Sequence, residues 1–82
     1  MVGKHKPTVF EAFGQVLRRQ RKARGMSQET LAFEAGIQRN YVSLIELSRN
    51  QPTITTVFKL ANALSMKPAK LIQMVDDELS LD

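Results

Sequence analysis

The side chains best suited to reading the edges of nucleic-acid bases fall between positions 38 and 44. Arg39 can donate two hydrogen bonds to O6 and N7 of a guanine, and Asn40 can pair with N6 and N7 of an adenine, each discriminating by about 1–3 kcal/mol. Ser43 can bond a base edge or a phosphate, and Leu44 can meet a thymine methyl group. The candidate base-reading residues are therefore Gln38, Arg39, Asn40, Ser43 and Leu44. The competing interpretation is that these polar side chains are simply exposed to water, so the elements that position them matter.

The sequence contains no set of residues suited to catalysis. His5 is the only histidine and the chain has no cysteine, so a thiolate nucleophile, a disulfide and a thiolate metal site are excluded. Neither a glycine-rich phosphate loop nor a metal-ligand spacing is present. The acidic run at 76–78 is typical of a solvated helix end. We predict a protein that is not an enzyme and that needs no metal, cofactor or small-molecule ligand.

The charge is distributed unevenly along the chain, whose formal net charge is +4. Residues 1–49 hold nine Lys/Arg and four Asp/Glu, whereas residues 50–82 hold three and four. A basic first part indicates an anionic partner, although a solvated basic helix would show the same excess. No apolar run is long enough to span a bilayer and no signal-peptide core is present, so we expect a cytoplasmic protein.

Capping and breaking residues divide the chain into helices. Thr8 and Glu11 form a capping box, and an apolar stripe at three- to four-residue spacing follows it. Gly25 ends helix 1, Ser27 caps helix 2, and Gly36 ends helix 2 in the left-handed conformation. Two short helices separated by a glycine-containing turn are typical of a helix-turn-helix.

The second half of the chain shows the same helical punctuation. Thr53 can cap helix 4, whose predicted apolar stripe begins at Ile54, and Pro68 suits the first turn of helix 5. No alternating β-branched run bounded by turns occurs. The fold class is therefore all-α, with five helices. The predicted core consists of Phe13, Val16, Leu17, Leu31, Ala32, Ile37, Val42, Ile45, Val57, Leu60, Ala61, Leu64 and Leu71. We expect a flexible basic N-terminal arm at 1–7, a domain at 8–79 with the helix-turn-helix at about 27–47, and a tail at 80–82.

From Gly14 to Leu71 the chain resembles the lambda-repressor/Cro-like helix-turn-helix family, also called the XRE family. The matching residues are Gly14, Leu17-Arg18, Arg21, Ser27-Gln28, Leu31-Ala32, Gly36-Ile37, Tyr41-Val42-Ser43, Ile45-Glu46, Pro52, Leu60-Ala61, Ala63-Leu64 and Leu71. Three positions depart from the pattern. Ser48 replaces a usual glycine, which favours a different loop path because a non-glycine residue pays for a positive φ. Leu47 replaces a frequent basic residue, and Gln38 a frequent capping residue.

The resemblance implies a compact lambda-repressor-like domain and roles for further residues. It implies that Arg21 and Glu46 form a structural ion pair between helix 1 and the end of helix 3. It also implies phosphate contacts from the start of helix 2 and from the loop after helix 3. The implied phosphate contacts are Gln28, Arg49 and Asn50, together with Tyr41, which has packing against helix 2 as its alternative role.

The expected partners are double-stranded DNA and a second copy of the chain. A homodimer would place two recognition helices about 34 Å apart, matching successive major grooves of a palindromic operator. The candidate dimer residues are Met66, Met74, Leu79 and Leu81, which have completion of the core as their alternative role. We expect a transcriptional regulator that controls its own gene. The stretch from Arg39 to Asn50 is also similar to restriction–modification controller proteins, and the remaining alternative is an antitoxin or protein-interaction module.

Overall fold

The computed structural model describes residues 6–80, and every regular element in this part of the chain is an α-helix. The first three helices are α1 (Val9–Ala23), α2 (Gln28–Ala35) and α3 (Arg39–Glu46), and the last two are α4 (Ile54–Ala63) and α5 (Pro68–Leu79). The predicted all-α class with five helices is confirmed. Of the predicted arm and tail, residues 1–5, 81 and 82 lie outside the described residues.

Side-chain caps define where three of the helices begin. The Thr8 hydroxyl accepts a hydrogen bond from Glu11 N at 3.1 Å, and the Glu11 carboxylate accepts one from Thr8 N at 3.0 Å. Ser27 and Thr53 cap α2 and α4 in the same way, by accepting from the backbone three residues on. These hydroxyls satisfy backbone donors that the first turn of a helix leaves unpaired.

The helix-turn-helix depends on a glycine between its two helices. Gly36 ends α2 with φ 71°, a left-handed conformation that costs glycine little and other residues more. Its backbone N–H donates to Phe33 O, and that of Ile37 donates to Ala32 O at 3.0 Å. α3 then begins after Gln38, whose side chain makes no capping hydrogen bond. The start of α3 is therefore held by packing instead of by a cap.

All five helices contribute to one hydrophobic core. The buried apolar residues are Ala12, Phe13, Val16, Leu17, Leu31, Ala32, Ala35, Val42, Ile45, Val57, Leu60, Ala61, Leu64, Leu71 and Val75. Ile37, predicted to lie in the core, is only partly buried at its edge. Ile54, predicted as the first residue of the buried stripe of α4, is 67% exposed. As the first residue of α4 it lies one turn before Val57 and beyond the edge of the core.

The loop after α3 turns at Ser48, which adopts the left-handed conformation with φ 60°. The different loop path expected from this departure is therefore not taken, because the serine accepts the conformation that glycine favours. That conformation costs a non-glycine residue about 1–2 kcal/mol. The backbone N–H of Arg49 donates to Leu44 O at 2.8 Å, which anchors the loop to α3.

Gly14 allows α1 to approach the end of α3 closely. A Cβ atom at this position would lie 2.6 Å from Ile45 O and 3.1 Å from Glu46 O. Both oxygens belong to backbone carbonyl groups at the packed end of a helix, so they cannot move aside without a large energetic cost. Gly14 is thus required by the space between two helices and not by a turn.

We expect Gly14→Ala to destabilise the protein by about 1–3 kcal/mol, because the added methyl group overpacks the contact between α1 and α3. This loss would occur although alanine favours a helix over glycine by about 1 kcal/mol. Gln15→Ala, at the exposed neighbouring position, is the matched control and should leave stability nearly unchanged. Urea unfolding of the three proteins measures the difference, and a Gly14→Ala variant as stable as the parent would contradict the steric argument.

Candidate nucleic-acid interface

The outward side of α3 brings the candidate base-reading residues together. Val42 and Ile45 are buried in the core, which turns the opposite side of this helix toward solvent. Arg39 and Asn40 are exposed on its first turn, Ser43 and Leu44 are partly exposed on the next, and Gln38 is exposed just before the helix. The structure therefore places the five residues on one accessible surface. A surface of this kind fits the major groove, which admits an α-helix.

Arg21 and Glu46 form a two-point ion pair between α1 and the last residue of α3. Arg21 Nε lies 2.6 Å from Glu46 Oε2, and Arg21 Nη2 lies 2.9 Å from Glu46 Oε1. Both side chains are buried, and Arg21 Nη1 also donates to the carbonyl oxygen of Met26 at 2.8 Å. Such a forked pair fixes geometry as well as charge, because two parallel hydrogen bonds leave little rotational freedom.

The pKa of Arg21 is raised above its ordinary value, mainly by its hydrogen bonds to Glu46 and less by the carboxylate charge, while burial acts in the opposite direction. A raised pKa of a basic group stabilises the folded state at every pH below the ordinary value, and this contribution is lost only as the pH rises through the folded value. The stabilising effect is therefore fully present at neutral pH.

Gln28 joins the same carboxylate from α2. Its Nε2 donates to Glu46 Oε1 at 3.1 Å, so that Glu46 receives donors from both α1 and α2. The sequence indicated a phosphate contact for Gln28 and gave no sign of this bond to Glu46. Gln28 is only partly buried. Its side-chain amide has a second N–H, which could donate a hydrogen bond to a phosphate oxygen.

The other three implied phosphate contacts lie on α3 and in the loop behind it. Arg49 is exposed and Asn50 is partly exposed. Tyr41 is partly buried, and its hydroxyl oxygen lies 3.5 Å from Thr56 Oγ1 on α4. The hydroxyl thus contacts α4, whereas the sequence offered helix 2 or a phosphate as its neighbour.

The residues predicted to form a dimer interface are not the most exposed apolar residues of the structure. Met66, Met74 and Leu79 are partly buried and pack against the core, and Leu81 lies outside the described residues. The exposed apolar side chains nearby are instead Ile54, Phe58, Ile72 and Val9. Phe58 was not singled out from the sequence, although it stands outside the buried stripe of α4 and so marks an apolar outer side.

Residues 6–80 offer neither a membrane-spanning helix nor a metal-binding cluster. No helix there has the length and apolar character needed to cross a membrane. No cluster of three or more histidine, aspartate or glutamate side chains in that range is placed to hold a metal ion.

The geometry agrees with comparisons to known protein families. Residues 17–71 match the model of the family HTH_3, described as helix-turn-helix. The match covers more than half of the chain, and the chain belongs to this family. It is a helix-turn-helix DNA-binding regulator.

Three similar proteins are named as control or controller proteins. Two of them are controller proteins of restriction–modification systems, and the third is named a control protein. The control protein C.BamHI of Bacillus amyloliquefaciens is 38% identical over 61 residues, which cover 73% of this chain and 75% of the relative. The structure of the restriction–modification controller protein C.AhdI of Aeromonas hydrophila is similar with a TM-score of 0.73 and 44% identity, over 76% of this chain and 94% of that one. The controller protein C.Esp1396I was solved as a tetramer on its natural 35 base-pair operator. It is similar with a TM-score of 0.82 and 25% identity, over 89% of this chain and 96% of that one.

We expect Glu46→Ala to destabilise the fold by about 3–5 kcal/mol, because it leaves the buried guanidinium of Arg21 without its partner. Glu78→Ala is the matched control. It removes a carboxylate 2.6 Å from Arg19, whose side chain is 58% exposed, and exposed pairs contribute at most about 1 kcal/mol. Thermal unfolding of both variants measures the contrast. Equal melting temperatures for Glu46→Ala and the parent would show that the buried pair does not hold α3.

Proposed function

We propose that this protein binds a palindromic operator in duplex DNA as a homodimer and regulates transcription, including that of its own gene. The observation that carries the proposal is the outward side of α3, where Arg39 and Asn40 stand exposed while Val42 and Ile45 fix the helix in the core. Arginine and asparagine side chains on a helix fixed in this way can each form two hydrogen bonds to one base edge.

The narrower part of the proposal is that this protein is the controller protein of a restriction–modification system. It is supported by the identity of 44% to C.AhdI and of 38% to C.BamHI. We further propose that the protein acts in the cytoplasm and that it performs no catalysis. The function then consists of DNA binding alone, and the concentration of the protein sets the level of transcription.

The phosphate contacts are proposed to flank the reading helix. Arg49 and Asn50 follow α3 in a loop that is fixed to Leu44 O, and Gln28 stands at the N-terminus of α2. Backbone N–H groups at a helix N-terminus favour an anion, and Gln28 extends that donor set. The Tyr41 hydroxyl can accept a hydrogen bond from Thr56 and still donate its own hydrogen to a phosphate, because a phenolic O–H is both donor and acceptor.

The dimer is proposed to form through the exposed apolar side of α4 and α5. Ile54 is 67%, Phe58 57% and Ile72 44% exposed, and together they form a patch that a monomer leaves in water. Beside this patch, α1 and α5 form a largely apolar cleft that Phe10 and Leu79 help to line. A two-fold interface is self-complementary, so a protruding side chain and a cleft on the same side of the molecule suit it.

Selection from random duplex DNA tests base reading. We expect the parent protein to enrich a palindrome, and Arg39→Ala to lose about 1–3 kcal/mol of discrimination at one position of each half-site. Arg19→Ala removes the same charge from α1, where Arg19 pairs with Glu78, and should keep the parent's base preference. Affinity should fall steeply with salt because phosphate contacts release counterions. No enriched site, with weak binding that salt abolishes, would instead indicate that the helix-turn-helix serves a protein partner.

Sedimentation tests the dimer face. Phe58→Glu should shift the protein to monomer and weaken operator binding, because a carboxylate would be buried without a partner at the interface. Phe33→Glu is the matched control, since Phe33 is 83% exposed on α2 and lies outside the proposed face. A Phe58→Glu protein that dimerises as well as Phe33→Glu would place the interface elsewhere.

A further inference from the structure

A depression lies on the same surface as the base-reading residues. It opens between α3, the turn before it and the loop after it. Its lining combines apolar and amide side chains: Ile37, Tyr41, Leu44, Gln38, Asn40 and Asn50. Its apolar part is unusual for a surface otherwise composed of hydrogen-bonding groups.

The apolar walls of this depression are held in place by the fold. Ile37 and Tyr41 both pack against the hydrophobic core. The Tyr41 hydroxyl lies 3.5 Å from Thr56 Oγ1, and Thr56 is itself buried on α4. Ile37 and Tyr41 are thus positioned before any ligand arrives, which lowers the cost of ordering these two side chains on binding.

Leu44 lies one helical turn after Asn40 on the outward side of α3, because residues four apart face the same way. Four residues advance a helix by about 6 Å, close to two base-pair steps of about 3.4 Å each. A helix lying along the major groove would therefore bring Leu44 within about two base pairs of the base that Asn40 contacts.

The chemistry of the groove restricts what Leu44 can accept. Major-groove edges expose hydrogen-bond donors and acceptors, and the thymine C5-methyl group is the apolar exception among the four bases. A leucine pressed against a polar edge would remove water without supplying a hydrogen bond, which is unfavourable. A methyl group, by contrast, gains from burial against Leu44, Ile37 and Tyr41.

We propose that this depression binds the 5-methyl group of a pyrimidine within about two base pairs of the base read by Asn40. The proposal rests on the proposed DNA-binding function and adds to it one element of specificity, in which Leu44 is the decisive residue. Thymine and 5-methylcytosine both carry this methyl group, and the experiment distinguishes them.

The first arm uses the operator enriched by the parent protein. Each thymine is replaced in turn by deoxyuridine, symmetrically in both half-sites, which removes only the methyl group. One position should weaken binding by about fourfold per half-site, the effect of one buried methyl or methylene group. Leu44→Ala should bind the thymine and deoxyuridine forms of that position equally. Leu47→Ala is the matched control, because Leu47 is exposed at the end of α3 and does not line the depression.

The second arm places cytosine or 5-methylcytosine at the sensitive position. About fourfold tighter binding of the methylated form by the parent, absent in Leu44→Ala, would show that the depression accepts the methyl group of either base. Sensitivity to deoxyuridine without this gain would support the proposal with thymine as the source of the methyl group.

Two results would overturn the inference while leaving DNA binding intact. One is a parent protein that binds its operator with no deoxyuridine-sensitive position. The other is a sensitive position that remains sensitive in Leu44→Ala. The scan with the parent protein tests the proposal even where Leu44→Ala is unstable. Failure to enrich any operator would contradict the proposed function itself.

Discussion

The carboxylate of Glu46 is the point at which the first three helices are tied together. It accepts two hydrogen bonds from Arg21 on α1 and one from Gln28 on α2, and it belongs to the last turn of α3. The missing side chain at Gly14 lets α1 approach the backbone of α3 at the same end. α3 has eight residues and no side-chain cap, too short to be stable alone. Its orientation therefore depends on this junction and on the burial of Val42 and Ile45.

Most of the fold was predictable because its signals are local. A hydroxyl at Thr8, Ser27 or Thr53 begins a helix and a glycine such as Gly36 ends one, so the helix bounds follow from the chemistry of single residues. The core followed from the spacing of apolar residues. Ile37 and Ile54 were the exceptions, because the spacing predicts which way a side chain points but not where the core ends.

The candidate site was predictable to a smaller extent. The grouping of Arg39 and Asn40 on the exposed side of α3 follows from the burial of Val42 and Ile45, which periodicity reveals. The bond from Gln28 to Glu46 and the contact of Tyr41 with Thr56 join residues 18 and 15 positions apart. Such contacts depend on how helices cross, and no local pattern in the sequence encodes that angle.

The separation of supporting and reading residues on α3 has an evolutionary consequence. Arg39 and Asn40 are exposed and contribute little to the core, whereas Val42, Ile45 and Glu46 hold the helix and face away from any ligand. Under the proposed function, substitutions at the first pair would change the preferred target without a penalty in folding, since exposed positions usually tolerate replacement within about 0.5 kcal/mol. Related genes can therefore diverge in the operators they recognise while keeping one scaffold, and neighbouring regulators in one cell can remain insulated from each other.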